Sequence, residues 1–525
     1  MKRSLLIGCL LSFAMVGSVL FAQSSMPSTD ATRLVQDVVN RLSDSDFAIR
    51  QKASTELTTF PPEAYELFIR MVADPGTDPE VRARLTEALP ALEVRSAAQI
   101  VKIRLQEDQA KEYAIVLDAY DRLAEKNPRW EVVAREGFRI IYDPSGAPDK
   151  HRAGALFQNA VDAGCDDPMV KHMLANCLLS DAAPDAKAVR VQAEAACRKY
   201  ISTGGGPKSY PAIMRFQGVL FALRAIPAFS GDAAQDKVLL DYLLQQAFGL
   251  WPEVVNTPGI SSRKIYQLAV LLLDCAERRT YNAWRREDLT EAPLVRNIPA
   301  TFARELIAGR GHIKDAWWAR NHGQADIFRQ RIQDAREELE KAASIDPLHP
   351  DPPTGMLEIA VLERFPRDQM EKWFFRAMLA NPDNLDACNV KLNYLMPQWG
   401  NGTFDDMVAF GRECLAEGNF NTRVPSTLVM AHSYVAEQSG AGDAYFARAE
   451  VWKDIQTVYE GLLQVTPGNL TFRSGLMKYA VLAGQWPVAA AQRKVIGDKP
   501  DLKVFKTEEN YREQCRQIDQ HLEAH

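Results

Sequence analysis

The feature that most constrains this chain is an amphipathic helical stripe that recurs and is each time halted at a proline. Met370, Trp373, Phe374, Ala377 and Met378 stand at i, i+3, i+4, i+7 and i+8, and Asn381-Pro382-Asp383-Asn384 follows. Ile455, Val458, Tyr459, Leu462 and Leu463 keep the same spacing ahead of Thr466-Pro467-Gly468-Asn469, and Ala335, Leu339, Ala342 and Ala343 lead to Asp346-Pro347. Steps of three and four gather side chains on one face of a helix. Proline has no N–H to continue the ladder, so the helix ends there. Each such helix keeps an apolar edge that only a neighbouring helix can cover. The expected fold is therefore all-α: a solenoid in which each helical hairpin is covered by the next.

Composition sets the outer bounds. With 525 residues, 46% hydrophobic and 25% charged, the chain is ordinary globular material long enough for three or four units. Its net charge of −6 argues against nucleic acid as a partner, because binding phosphates needs a basic face.

The N-terminal part carries a second texture. Asp46-Phe47-Ala48-Ile49-Arg50-Gln51-Lys52-Ala53 recurs 32 residues later as Asp78-Pro79-Glu80-Val81-Arg82-Ala83-Arg84-Leu85, with Leu57 matched by Leu89. An aspartate at a helix start caps exposed N–H groups, and the arginine four residues on is expected to reach back toward that carboxylate. This pattern resembles HEAT repeats over 30–95. The proline-ended stripes resemble the second helix of tetratricopeptide repeats, and the 35-residue step from Pro347 to Pro382 is close to that family's period of about 34. Over roughly 301–525, Ala316-Trp317-Trp318-Ala319-Arg320 and Met396-Pro397-Gln398-Trp399-Gly400 resemble a bacterial family of tetratricopeptide-like domains of unknown function. Asn321-His322-Gly323 departs from the Gly-rich step expected after Arg320. That resemblance implies no catalytic residues.

Between these regions, 96–300 reads as helical with weak tetratricopeptide character. Ile265, Leu268, Ala269, Leu272, Leu273 and Ala276 form a stripe for a buried helix. One β exception is expected, a short hairpin over 131–143, where Val132, Val133, Ile140 and Ile141 favour strand. Gly204-Gly205-Gly206-Pro207 reads as a loop and lacks the Lys-Ser/Thr of a phosphate-binding turn.

Lys2 and Arg3, then an apolar run from Leu5 to Val16, then Ala22-Gln23-Ser24, follow the order of a secretory signal over 1–24. The expected location is outside the cytoplasm, periplasmic or extracellular, with no transmembrane segment after cleavage. Seven scattered cysteines would then remain and read as small buried hydrophobes. Cys177 with Cys197 is the pair whose spacing allows a bridge between neighbouring helices.

No catalytic signature stands out, and no cofactor or metal is expected. His521 and His525 lie at i, i+4 but without the adjacent glutamate of a zinc-protease helix. His312, Asp315 and His322 surround Trp317-Trp318 without enough ligands for a metal. Asp166-Asp167 and Asp405-Asp406 stand where helices begin and read as caps. The expected function is an exported scaffold or adaptor, not an enzyme, that binds a protein or extended peptide on a concave helical surface. Trp317, Arg320, His322 and Trp399 are the candidate binding residues. The enzymatic alternative is a secreted α/α-toroid acting on polysaccharide, which would gather acids at one mouth of a ring.

Overall fold

A computed structural model describes residues 28–523, apart from 58, 62–63, 125–126, 143–147, 181–184, 203–208, 229–232, 280–292, 297 and 300. The expected signal (1–24), the glycine loop at 204–207, the Asp143-Pro144 end of the expected hairpin and His525 lie outside them. The described residues form helices and no strand. They fall into two compact units, within Ala22–Leu348 and within His349–His525.

The first unit runs α1 (Ser28–Leu42), α2 (Phe47–Leu57), α3 (Ala64–Ala73), α4 (Pro79–Leu123), α5 (Glu131–Ile141), α6 (Lys150–Asp162), α7 (Pro168–Leu179), α8 (Ala186–Ser202), α9 (Ala212–Ala228), α10 (Ala233–Val255), α11 (Ser262–Arg279), α12 (Pro293–Arg296), α13 (Phe302–Asn321) and α14 (Ala325–Ile345). The second contains α15 (Asp351–Glu363), α16 (Arg367–Ala380), α17 (Leu385–Tyr394), α18 (Phe404–Ala416), α19 (Thr427–Gln438), α20 (Ala449–Val465), α21 (Leu470–Leu482), α22 (Trp486–Ile496), α23 (Leu502–Phe505) and α24 (Glu508–Glu523). Most packing joins helices adjacent in sequence: α5 with α6, α7 with α8, α9 with α10, α13 with α14, α18 with α19, α21 with α22.

The expected hairpin at 131–143 is corrected: 131–141 is helix α5. Ala134, Gly137, Phe138 and Ile140 are buried, and Phe138 packs its ring on Tyr120 and Phe157 at 5.0 Å each. Val132 is 73% exposed, so the residue that most suggested a strand contributes nothing to the core. Tertiary packing at a helical period overrides β propensity here.

The two N-terminal repeats behave alike, with one correction. Asp46 and Asp78 accept from backbone N–H groups at the starts of α2 and α4, as caps do. The arginines, however, reach past the carboxylates to main-chain carbonyls. Arg50 donates to Asp44 O and Ser45 O, and Arg82 to Asp74 O, Pro75 O and Thr77 O. A guanidinium offers several forked donors, and the preceding turn offers carbonyls that have no helical partner. The arginine thereby fixes the turn between helices.

Helix α4 is 45 residues long, with Pro90 inside it and residues 95 and 96 within its span. Its far half is tied to three later helices. Arg104 donates to Asp346 at 3.0 Å, and Arg263 of α11 donates to the same carboxylate at 2.5 and 2.7 Å. Two turns further on, Glu112 accepts from Gln217 of α9 at 2.8 Å and pairs with Lys264 of α11 at 2.8 Å.

A second device recurs in both units. Four helices end with a residue of positive φ, and the next N–H donates back to an alanine carbonyl five residues earlier: Cys165 to Ala160, Gln324 to Ala319, Phe365 to Ala360 and Gln485 to Ala480. The left-handed residues are Gly164, Gly323, Arg364 and Gly484. All four alanines are fully buried. This is the Schellman closure, which satisfies terminal carbonyls and turns the chain back on itself.

Candidate functional site

The expected binding residues of the first unit sit at the C-terminal end of α13, where Gly323 at φ +70 closes the helix. The Arg320 guanidinium lies over the Trp317 ring, 5.9 Å from its centroid. His322 stacks on Trp318 at 4.3 Å and 24°, and its Nδ1 is 2.8 Å from Trp318 O. Both tryptophans are half-buried and His322 is exposed. Each aromatic plane is thus held by a cationic or imidazole neighbour within the same helix end. Trp399 belongs to the second unit. It ends a 3-10 turn, Pro397–Trp399, and its indole Nε1 donates to Asn393 Oδ1 at 3.1 Å.

Lower on the same helix pair, Arg331 of α14 lies 3.3 Å from His312 Nδ1 and 3.6 Å from Asp315. A guanidinium between the imidazole and the carboxylate occupies the space a cation would need. Burial, with Arg331 beside it, holds the His312 pKa below its ordinary value. Among the described residues no cluster of three or more His, Cys, Asp or Glu side chains is arranged to hold a metal.

Gly309 allows α13 to approach α14 closely; a Cβ there would stand 2.8 Å from Leu339 Cγ. One turn away, Glu305 and Glu338 face each other. Burial, then the hydrogen bond and charge of Glu338, push Glu305 up to about 7. The pair shares a proton near neutrality, which is how two close carboxyls avoid ionising together. Sequence reasoning missed it because the two residues are 33 positions apart.

The other candidates resolve into structure. Asp167 caps α7 through Met169 N and Val170 N and accepts from the Tyr210 hydroxyl at 2.5 Å, while Asp166 pairs with Lys171 and Lys199. Asp406 forms a capping box with Thr403. His521 stacks on Trp486 at 3.8 Å. Cys177 and Cys197 are buried thiols that are not joined in a disulfide.

The second unit also contains a buried polar chain that the sequence did not announce. His432, 1% exposed, places Nδ1 2.9 Å from the Tyr445 hydroxyl and Nε2 3.1 Å from Asp454 Oδ2. Arg412 donates to the same Asp454 oxygen at 2.9 Å. Burial is the largest influence on His432 and lowers its pKa; Asp454 works against it. A lone histidine within the apolar run Leu428, Val429, Ala431 and Val435 was the available signal. The tyrosine, itself 5% exposed, packs against Phe446, so the chain braces α19 to α20 and presents no accessible nucleophile.

An apolar cavity of about 300 Å³ lies among α8, α9 and α10, lined by Cys197, Ile201, Ile226 and Leu243 with Arg198 and Tyr242. No protein-family model matches this chain, and no curated protein matches it. Among the described residues no helix is long and apolar enough to cross a membrane.

Proposed function

We propose that the protein is an exported, non-catalytic scaffold, an α-solenoid of HEAT-like and tetratricopeptide-like hairpins that holds a protein or extended peptide. The observation that carries this reading is a recurring pair in which an arginine three residues after an aromatic lies over its ring. Trp317 with Arg320 and Trp373 with Arg376 at 4.8 Å share it on half-buried rings, and Tyr445 with Arg448 at 4.8 Å repeats the geometry on a buried one. Phe375, next to the second pair, is 56% exposed.

Tryptophan, tyrosine and arginine carry most binding energy at protein interfaces, because they offer large rigid area with a polar handle. Holding the guanidinium over the ring in advance lowers the ordering cost of binding. The two tryptophan pairs each sit within a single helix, so within its own unit each is displayed on a helix surface. Trp399 and His322 extend the same accessible aromatic chemistry.

The test is capture from an envelope or secreted fraction by the immobilised full chain, followed by saturation binding of what is captured. A polypeptide that saturates, and whose affinity falls about tenfold or more for Trp317→Ala or Trp373→Ala, is the expected result. Absence of any saturable polypeptide, together with cleavage of a polysaccharide in a panel assay, would replace this reading with the toroidal-enzyme alternative.

A further inference from the structure

The cavity among α8, α9 and α10 is a feature that the docking reading leaves unused. Helices α8 and α10 each pack on α9 rather than on each other, which leaves a groove floored by α9. Glu194, Cys197, Arg198 and Ile201 stand at i, i+3, i+4 and i+7 on one face of α8. Leu239, Tyr242 and Leu243 share a face of α10, and Ile226 of α9 completes the lining. Cys197, Ile226 and Leu243 are 2%, 0% and 3% exposed, so the inner wall is apolar and shielded from water. Burial pushes the Cys197 thiol up to about 12, as a dry wall does. The cavity volume of about 300 Å³ is at the small end of ligand pockets and suits one short aliphatic chain.

Charge is confined to the rim. Arg190 donates to Asp236 at 2.6 and 3.3 Å and so ties α8 to α10. The same guanidinium donates to Glu194 at 2.8 Å. Arg198 approaches Glu194 only at 3.6 Å, and its side chain is 71% exposed. An incoming anion can therefore take Arg198 without leaving Glu194 unpaired, because Arg190 stays on that carboxylate. Tyr242, 43% exposed, adds a hydroxyl at the same rim. The site thus has an apolar interior, an available cation at its edge, and a frame fixed by the Arg190–Asp236 pair.

We propose that this cavity binds a small amphipathic carboxylate, its single aliphatic chain seated against Cys197, Ile226 and Leu243 and its head group on Arg198. Burial of the chain supplies most of the affinity, about fourfold for each methylene. The rim ion pair stays in contact with solvent and contributes less, about threefold to fivefold. Charge sets the direction of preference: the carboxylate is favoured over the alcohol of equal length, and the alkylammonium is rejected by Arg198. The proposal is independent of the docking reading, and its failure leaves that reading untouched.

The experiment titrates the full chain by calorimetry with dodecanoate below its micellar concentration, beside decanoate, dodecanol and dodecylammonium. The expected result is one dodecanoate per chain at saturation, with decanoate weaker by about tenfold or more. Dodecanol and dodecylammonium should each be weaker than dodecanoate by about threefold or more. Arg198→Ala, an exposed substitution that leaves the wall intact, should bring dodecanoate to the level of dodecanol. Leu239→Trp, which fills the half-buried side of the cavity, should weaken all four together. Where a variant does not fold, the wild-type chain decides: saturating dodecanoate should slow maleimide labelling of Cys197, read by peptide map, and leave Cys515 unchanged. Binding that does not saturate, equal binding of dodecylammonium, indifference to Arg198→Ala, or unchanged labelling of Cys197 would each overturn the proposal.

Discussion

The two units are built from similar helical hairpins but braced in different ways. In the first, side-chain bonds reach far along the chain: Arg104 to Asp346 spans 242 residues, Gln217 to Glu112 spans 105, and Arg263 to Asp346 spans 83. In the second, side-chain hydrogen bonds such as Ser433 to Tyr479 and Tyr434 to Asn389 span 46 and 45 residues. Nearest-neighbour packing makes stability a sum of local increments. Long-range clamps make it conditional on distant helices being in place together, and the loop entropy must be spent before those contacts form. The long helix α4 is what makes the first unit conditional, since its far half meets α9, α11 and the end of α14.

The largest test of this contrast is the Asp346 clamp. Asp346→Ala leaves two largely buried guanidinium groups, Arg104 and Arg263, without their carboxylate, at side-chain exposures of 17% and 11%. A loss of about 3 kcal/mol or more is expected. Hydrogen exchange read by mass spectrometry should show α4, α11 and α14 losing protection together while α21 and α22 keep theirs. Loss confined to the residues next to 346 would break the contrast.

Two buried histidines, one in each unit, sharpen it next. His172, packed against Tyr200 and Phe221, is pushed down to about 4 by burial. The unfolded chain protonates near 6.5 and the folded one only near 4, so stability is complete above the higher value and declines as pH falls between them. The loss amounts to about 3 kcal/mol. The urea midpoint of wild type should fall relative to that of His172→Leu as pH drops from 7 to 4, because the variant lacks this acid penalty. His432 is also lowered, but Asp454 compensates its charged form, so His432 contributes a weaker acid loss in the second unit.

Caps give a smaller, local effect. Asn384 and Asn469 each accept from a backbone N–H three residues on, at the starts of α17 and α21. Asn469→Ala should cost about 1 kcal/mol in urea unfolding, with faster exchange only in the first turn of α21. Smallest is the shared Schellman turn. Arg364 holds φ +54, where three equivalents have glycine, so Arg364→Gly should stabilise by roughly 0.5–1 kcal/mol. Gly484→Ala should cost about 1 kcal/mol through strain alone, because the nearest atom to its added Cβ is 4.0 Å away. A neutral Gly484→Ala would mean that the turn is not held left-handed.

The helices and their apolar stripes were legible because burial repeats at steps of three and four: Ala335, Leu339, Ala342 and Ala343 are all buried, as are Ile455, Val458 and Leu462. Of the paired aspartates, Asp167 as a cap and Asp406 as a capping-box partner were legible for the same local reason, whereas Asp166 pairs with Lys171 and Lys199 instead. Helix α5 was misread because β-branched Val132 and Val133 weigh toward strand until the rings of Tyr120 and Phe157 are present to pack Phe138. The recurring closure was on the page as an alanine followed four residues later by Gly or Arg, at 160, 319, 360 and 480, but it stands out only when the carbonyl acceptors are known. Pairings such as Glu305 with Glu338, Arg104 with Asp346 and His432 with Asp454 depend on which helices pack, and nothing in residue order states that. Trp317 with Arg320 was readable because three residues apart is one turn of helix.

The docking account is tested most directly by replacing Trp317 and, separately, Trp373 with a photo-crosslinking aromatic residue in the full chain and irradiating it in cells. The account predicts a discrete crosslinked polypeptide at both positions, competed away by excess unlabelled chain. Crosslinks that are absent at both, or that excess chain does not diminish, would contradict it.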